Sequence, residues 1–134
     1  MSGFDSAVRK LFALWMSLFA LALAGCSSSP DDVVKDFYKA VADNRVDEAI
    51  TYFSLKDVKE NDLTTMKGKL QMVVGAYYSR IQENGGLDSI TTTIIEQNGD
   101  TVRVKAELKF KNGKTKDESN ILIKDAGKWK IKLH

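Results

Sequence analysis

The sequence predicts an α+β fold, with three N-terminal helices packed on a four-stranded antiparallel meander. Three observations carry this. Apolar residues recur at spacings of three and four from Val33 to Ile81, the period of a helix with one buried face. From Leu87 the period changes to two, the period of a strand. Asn98-Gly99 and Asn112-Gly113 then stand between β-rich runs, and such pairs are the strongest short-range hairpin signals.

The first helix opens at Ser29-Pro30-Asp31-Asp32. A serine can cap, proline suits the first helical position, and aspartates favour the positive end of the helix dipole. Val33, Val34, Phe37, Tyr38 and Val41 form its apolar face, and Asp43-Asn44 breaks it. A short second helix follows, with Val46, Ala49, Ile50 and Phe53 on one side. The third is expected from near Asp62, with Leu63, Met66, Leu70, Val73, Val74, Tyr77 and Ile81 in register, and Asn84-Gly85-Gly86 as its stop. Gly68 and Gly75 lie inside it, each costing about 1 kcal/mol relative to alanine. Close packing against another element is the expected reason; a gap left for a ligand or partner is the alternative. Tyr77 follows the apolar stripe and is expected in the core. Tyr78, beside it, is a candidate for a pocket mouth.

Strands are expected near 88–97, 100–111, 114–124 and 128–133, with Asp125-Ala126-Gly127 as the last turn. Two-residue loops would set Ile95 opposite Val102, Thr93 opposite Val104, Val104 opposite Ile121 and Val102 opposite Ile123. One face then collects Val102, Val104, Ala106, Leu108, Phe110, Ile121, Ile123, Trp129, Ile131 and Leu133. The other carries Arg103, Lys105, Glu107, Lys109, Lys116 and Glu118. This register turns Ser89, Thr91, Thr93 and Ile95 toward the apolar face and Ile90 and Ile94 away from it. A bulge that flips the phase, or an edge effect, is the preferred resolution. In the other, the three hydroxyls of Ser89, Thr91 and Thr93 line the shallow end of a cavity, together with Tyr78.

The first 25 residues read as an address. Arg9 and Lys10 form a basic start, Leu11 to Leu23 is a run of thirteen residues that is apolar but for Ser17, and Gly25 is a small residue at a cleavage position. A bilayer core needs roughly 20 apolar residues, so a permanent transmembrane helix is the weaker reading. Leu23-Ala24-Gly25-Cys26 resembles the lipobox of bacterial lipoproteins. The resemblance implies cleavage between Gly25 and Cys26, a thioether-linked diacylglycerol on the Cys26 thiol and an N-acyl chain on the new terminus. Two or three acyl chains anchor stably where one does not. Ser27 after the cysteine implies the periplasmic face of the outer membrane in a Gram-negative envelope. Residues 26–30 then form a lipidated tether and 31–134 a single domain.

Removing 1–25 leaves 134 − 25 = 109 residues with a charge of (20 − 2) − (18 − 1) = +1. That size supports one core, and that charge gives no case for nucleic acid. Cys26 is the only cysteine and His134 the only histidine, which leaves no Ser-His-Asp or Cys-His device and no zinc ligand set. A glycine-rich phosphate loop is also missing from the sequence.

Ser29-Pro-Asp-Asp-Val-Val-Lys-Asp-Phe-Tyr-Lys-Ala40, the segment Asn98-Gly-Asp-Thr-Val-Arg-Val104 and the closing Gly127-Lys-Trp-Lys-Ile131 resemble small lumazine-binding-like bacterial lipoproteins of the nuclear-transport-factor-2-like superfamily. The resemblance implies a curved sheet and a cone-shaped (cystatin-like) pocket, with the long helix in the concave face. It carries no functional residues, because fold alone does not fix function. The expected function is a non-catalytic envelope domain that binds a small apolar ligand in the cone or another envelope protein on the sheet, with no cofactor. The alternative is a small isomerase- or dehydratase-like enzyme using a pocket carboxylate, for which Asp117, opposite Leu108 in the expected register, is the candidate. A homodimer through the outer sheet face is a third reading, which the mixed charges there oppose.

Overall fold

The computed structural model describes residues 28–134. Gly25 and Cys26 lie outside the described residues. The elements are α1 (Pro30–Ala42), α2 (Val46–Ile50), a 3-10 turn (Glu60–Asp62), α3 (Leu63–Glu83), β1 (Leu87–Asn98), β2 (Thr101–Phe110), β3 (Thr115–Asp125) and β4 (Lys128–Ile131). The strands form one antiparallel sheet in the order β1-β2-β3-β4. The α+β architecture matches the sequence prediction.

Helix ends follow local chemistry. Pro30 occupies the first turn of α1, and Ser29 sits at the cap position, but its side chain makes no capping bond. At the far end Asn44 takes φ 56°, while its N–H donates to Val41 O and that of Arg45 to Ala40 O. This left-handed cap satisfies carbonyls the helix leaves open. Gly85, at φ 86°, does the same for α3, with Gly85 N–H donating to Gln82 O and Gly86 N–H to Ile81 O. Asn84 then accepts a hydrogen bond from the Asn112 side chain at 2.9 Å, tying the end of α3 to the β2–β3 loop.

The core joins α1, α2 and α3 to the inner face of the sheet. Val34, Val41, Val74, Val102, Val104 and Leu122 are fully buried. The backbone of α1, rather than that of the long α3, approaches β1, β2 and β4. This departs from the expected placement of the long helix: α1 carries the denser apolar face, so it takes the closest seat.

Two departures concern the sheet register. Phe110 N–H donates to Lys114 O, and Gly113 N–H to Phe110 O, so Lys111-Asn112-Gly113 is a three-residue loop with Gly113 at φ 86°. A left-handed glycine serves that loop as well as the two-residue loop expected. The extra loop residue slips β3 by one, and a one-residue slip moves every side chain to the opposite face. Val102 therefore faces Leu122 and Val104 faces Asn120, while Ile121 and Ile123 face Arg103 and Thr101. Ile121 and Ile123 leave the inner face; Leu122, Asn120, Glu118 and Lys116 join it. In β1, register breaks at Asp88 and Ile95 set Ile90, Thr92 and Ile94 opposite Leu108, Ala106 and Val104. The expected bulge is present and flips the phase.

Gly68 and Gly75 also depart from expectation. A Cβ at either would meet nothing within 4 Å, so close packing within the described residues does not account for them.

Candidate functional site

A cavity of about 470 Å³, open on one side, lies between α1, α3 and the β3–β4 half of the sheet. Helix α1 supplies Phe37 and Tyr38, the segment after α2 supplies Phe53, and α3 supplies Met66, Leu70, Val73 and Tyr77. The wall opposite is Glu118 and Asn120 of β3 with Ile131 of β4; Lys69, Lys132 and His134 also line the cavity. The aromatic rings hold one another edge to face. Phe37 lies 5.0 Å from Tyr38 and 5.2 Å from Phe53, and Tyr38 lies 6.2 Å from Tyr77. Interlocked rings of this kind resist collapse, which keeps a concave apolar surface from closing on itself.

Polar groups gather on the β3 wall. Asn120 Nδ2 donates to the Tyr38 hydroxyl at 3.2 Å. Burial pushes the Tyr38 phenol far above its ordinary range, and the Asn120 hydrogen bond offsets this in part. The Tyr77 phenol is raised too, first by burial and then by the Glu118 charge, with Arg80 opposing. The Arg80 guanidinium stands 5.7 Å from the centre of the Tyr77 ring. The Glu118 carboxylate pairs with Lys116 Nζ at 3.5 Å, two residues along the same face. Such a wall can accept or donate hydrogen bonds to one end of a molecule whose body lies on the rings.

None of Ser89, Thr91, Thr93, Tyr78 and Asp117 lines this cavity. Ser89, Thr91 and Thr93 are exposed, opposite Lys109, Glu107 and Lys105 on the outer face. The bulges put them there, and the lining expected of them is corrected accordingly. Tyr78 packs against the core from α3, one residue off the stripe that Tyr77 sends to the cavity. Asp117 is also corrected: it faces Glu107, not Leu108, and pairs with Lys105 Nζ at 3.3 Å on the outer face. The acid on the inner face is its neighbour Glu118. Sequence reasoning missed Glu118 and Asn120. A signal existed in the unbroken polar run Thr115–Asn120, which marks a strand whose inner face is not all core.

A second groove, of about 480 Å³, is lined by Ser28, Tyr52, Lys128, Trp129 and Lys130 among others. Lys124 Nζ stands 4.8 Å from the Trp129 ring centre. Among the described residues no helix is long and apolar enough to cross a membrane, and no three His, Cys, Asp or Glu side chains are grouped to hold a metal.

Comparison with known proteins adds the fold family. A crystal structure from Campylobacter jejuni, provisionally designated an NTF2-like transpeptidase, superposes with a TM-score of 0.74 at 23% identity, covering 80% of this chain and 100% of that one. A de novo designed NTF2-fold protein, NT-9, reaches a TM-score of 0.46 at 20% identity, covering 80% of this chain and 86% of that one. A search of curated proteins finds no match. The fold is thus NTF2-like, and by a family model that matches residues 24–132 the chain belongs to DUF4878, a domain of unknown function.

Proposed function

We propose that the protein is a membrane-anchored envelope lipoprotein whose domain binds a small, largely apolar ligand in the cavity under α3 without transforming it. The carrying observation is the cavity itself. It falls within the 300–1,000 Å³ of ordinary small-molecule sites, with four aromatic rings on its floor and polar groups on one wall. The anchoring part rests on Leu23-Ala24-Gly25-Cys26. The groove lined by Ser28, which follows Cys26 by two positions in the sequence, supports it, because its lining includes Trp129, Tyr52 and two lysines. Aromatic and basic side chains suit a membrane interface.

For an enzyme the pocket carboxylate would be Glu118, the half-buried acid beside Tyr77, and not Asp117. Its carboxylate is engaged by Lys116 of the same strand, and most of the side chains around it in the cavity are apolar or aromatic, so binding is the preferred function.

Native mass spectrometry of the protein released gently from its own membranes tests the reading. A co-purifying small mass is expected, and Val73→Trp, at the half-exposed rim, should abolish it. Binding of the fluorescent probe N-phenyl-1-naphthylamine should weaken about tenfold in the same variant, a change of about 1.4 kcal/mol. An empty cavity and equal probe binding in both forms would remove the ligand reading. Flotation with vesicles, lost in Cys26→Ser, tests the anchor separately.

A further inference from the structure

The two edges of the sheet are treated differently. The free side of β4 is covered: Ile131 N–H donates to Tyr52 O at 2.8 Å, and Ser54 N–H donates to Ile131 O at 2.9 Å. β1 at the other edge runs for twelve residues and pairs with β2 alone among the described residues. An open edge of that length presents a row of unpaired backbone donors and acceptors, and proteins commonly blunt such edges with lysine, proline or bulges. Here the bulges sit at Asp88 and Ile95. The segment between them, Ser89 to Ile94, has no charge and no proline and consists of β-branched residues after Ser89. Among the described residues, two of the four exposed large hydrophobics lie at its end, Ile94 at 42% and Ile95 at 55%.

The segment is also a palindrome, Ile90-Thr91-Thr92-Thr93-Ile94. We propose that β1 is a self-association edge, on which two copies pair antiparallel through Ile90–Ile94 about a two-fold axis at Thr92. Each Ile90 then lies opposite the partner's Ile94 on the inner face, and each Thr91 opposite the partner's Thr93 on the outer face. Apolar and hydroxyl pairs are the matches that stabilise neighbouring strands. Such a pairing covers Ile94, which the single chain leaves exposed. An antiparallel two-fold keeps both inner faces on the same side, so the two cavities open together above one eight-stranded sheet.

The covered β4 edge makes the contact closed. An isologous pair through β1 leaves no second open edge to extend, so the product is a dimer and not a fibre. Charge limits its length: beyond the palindrome each Asp88 meets the partner's Glu96. Five paired residues span about 17 Å, short of a standard interface. The dimer is therefore weak, and screening of the two acidic pairs strengthens it as salt rises.

Thr92→Cys tests the axis directly, because a residue on a two-fold meets itself. Full-length protein in membranes of the producing cells would be oxidised and run on non-reducing gels. Most of the Thr92→Cys chain should migrate at twice the monomer mass. The parent chain, which controls for Cys26, and Ser119→Cys, exposed on the outer face of β3, should remain monomeric. Failure of Thr92→Cys to cross-link would overturn the proposal. Equal cross-linking of Ser119→Cys would assign association to the outer face, and a cross-link of another mass would assign the edge to a foreign strand; either overturns self-pairing. In solution, Ile94→Lys should lower the dimer fraction about tenfold by native mass spectrometry with an unchanged circular dichroism spectrum. An unchanged dimer fraction would also overturn it.

Discussion

β2 and β3 are neighbours in one sheet, yet their inner faces differ. β2 turns Val102, Val104, Ala106, Leu108 and Phe110 inward, each at most 5% exposed. β3 turns Lys116, Glu118, Asn120 and Leu122 inward, and of these Leu122 alone is buried. The reason is what lies above them. The backbone of α1 approaches β1, β2 and β4, while the cavity opens over β3. A strand pressed by a helix must be apolar, because a polar group there has no partner. A strand facing a cavity can carry a carboxylate and an amide that water or a ligand satisfies. Core packing and cavity lining thus fall to adjacent strands.

Paired truncations should show that division most strongly. Leu108→Ala on β2 removes a side chain that is 2% exposed and should cost about 2–5 kcal/mol in urea denaturation. Glu118→Ala on β3 should cost no more than about 1 kcal/mol, the worth of a partly exposed ion pair. Equal losses would break the comparison. Next in size is Tyr38→Phe, which removes the hydroxyl that joins the core to the β3 wall. It leaves the Asn120 amide without that partner, a cost of about 1–3 kcal/mol. Its pH signature is specific. The folded-state pKa of Tyr38 is raised above its ordinary value of 10.0, so its stabilisation is complete below pH 10. Above that the unfolded chain sheds a proton that the folded chain keeps. Stability should then fall by up to about 1.4 kcal/mol per pH unit from this group, and Tyr38→Phe should flatten the alkaline limb.

The same contrast explains what the sequence made legible. Helix boundaries were readable because proline, Asn44 and the Asn84-Gly85-Gly86 stop act locally, and because a stripe at 3.6-residue spacing survives an error of one. Strand faces have no such tolerance. In β2 apolar and polar residues alternate without exception, which fixes its two faces. In β3 the apolar triplet Ile121-Leu122-Ile123 fits either phase, and Gly113 fits either loop length. One loop residue therefore exchanged Asp117 for Glu118 at the candidate site. The surroundings of Gly68 and Gly75 in α3 are not legible for another reason: helix spacing says nothing of what lies opposite. With open space at both Cβ positions, Gly68→Ala and Gly75→Ala should each stabilise the domain by about 1 kcal/mol. A loss in either, measured by urea denaturation, would reveal a close neighbour on that side of α3.

The smallest stability effect should be the most diagnostic for function. Asp117 and Glu118 are adjacent acids on opposite faces, each paired with a lysine. Asp117→Asn removes an exposed pair with Lys105 and also the like charge opposite Glu107. These losses oppose each other, so stability should change by less than about 0.5 kcal/mol, and binding of N-phenyl-1-naphthylamine should not change. Glu118→Gln should be nearly as mild for stability, but it removes the negative charge from the cavity wall beside Tyr77. Its effect should appear in probe affinity and in a lower Tyr77 pKa by absorbance titration. Equal behaviour of the two variants would place the wall of the cavity elsewhere, whereas a change confined to Glu118→Gln would make the inner face of β3 the specificity surface of the domain.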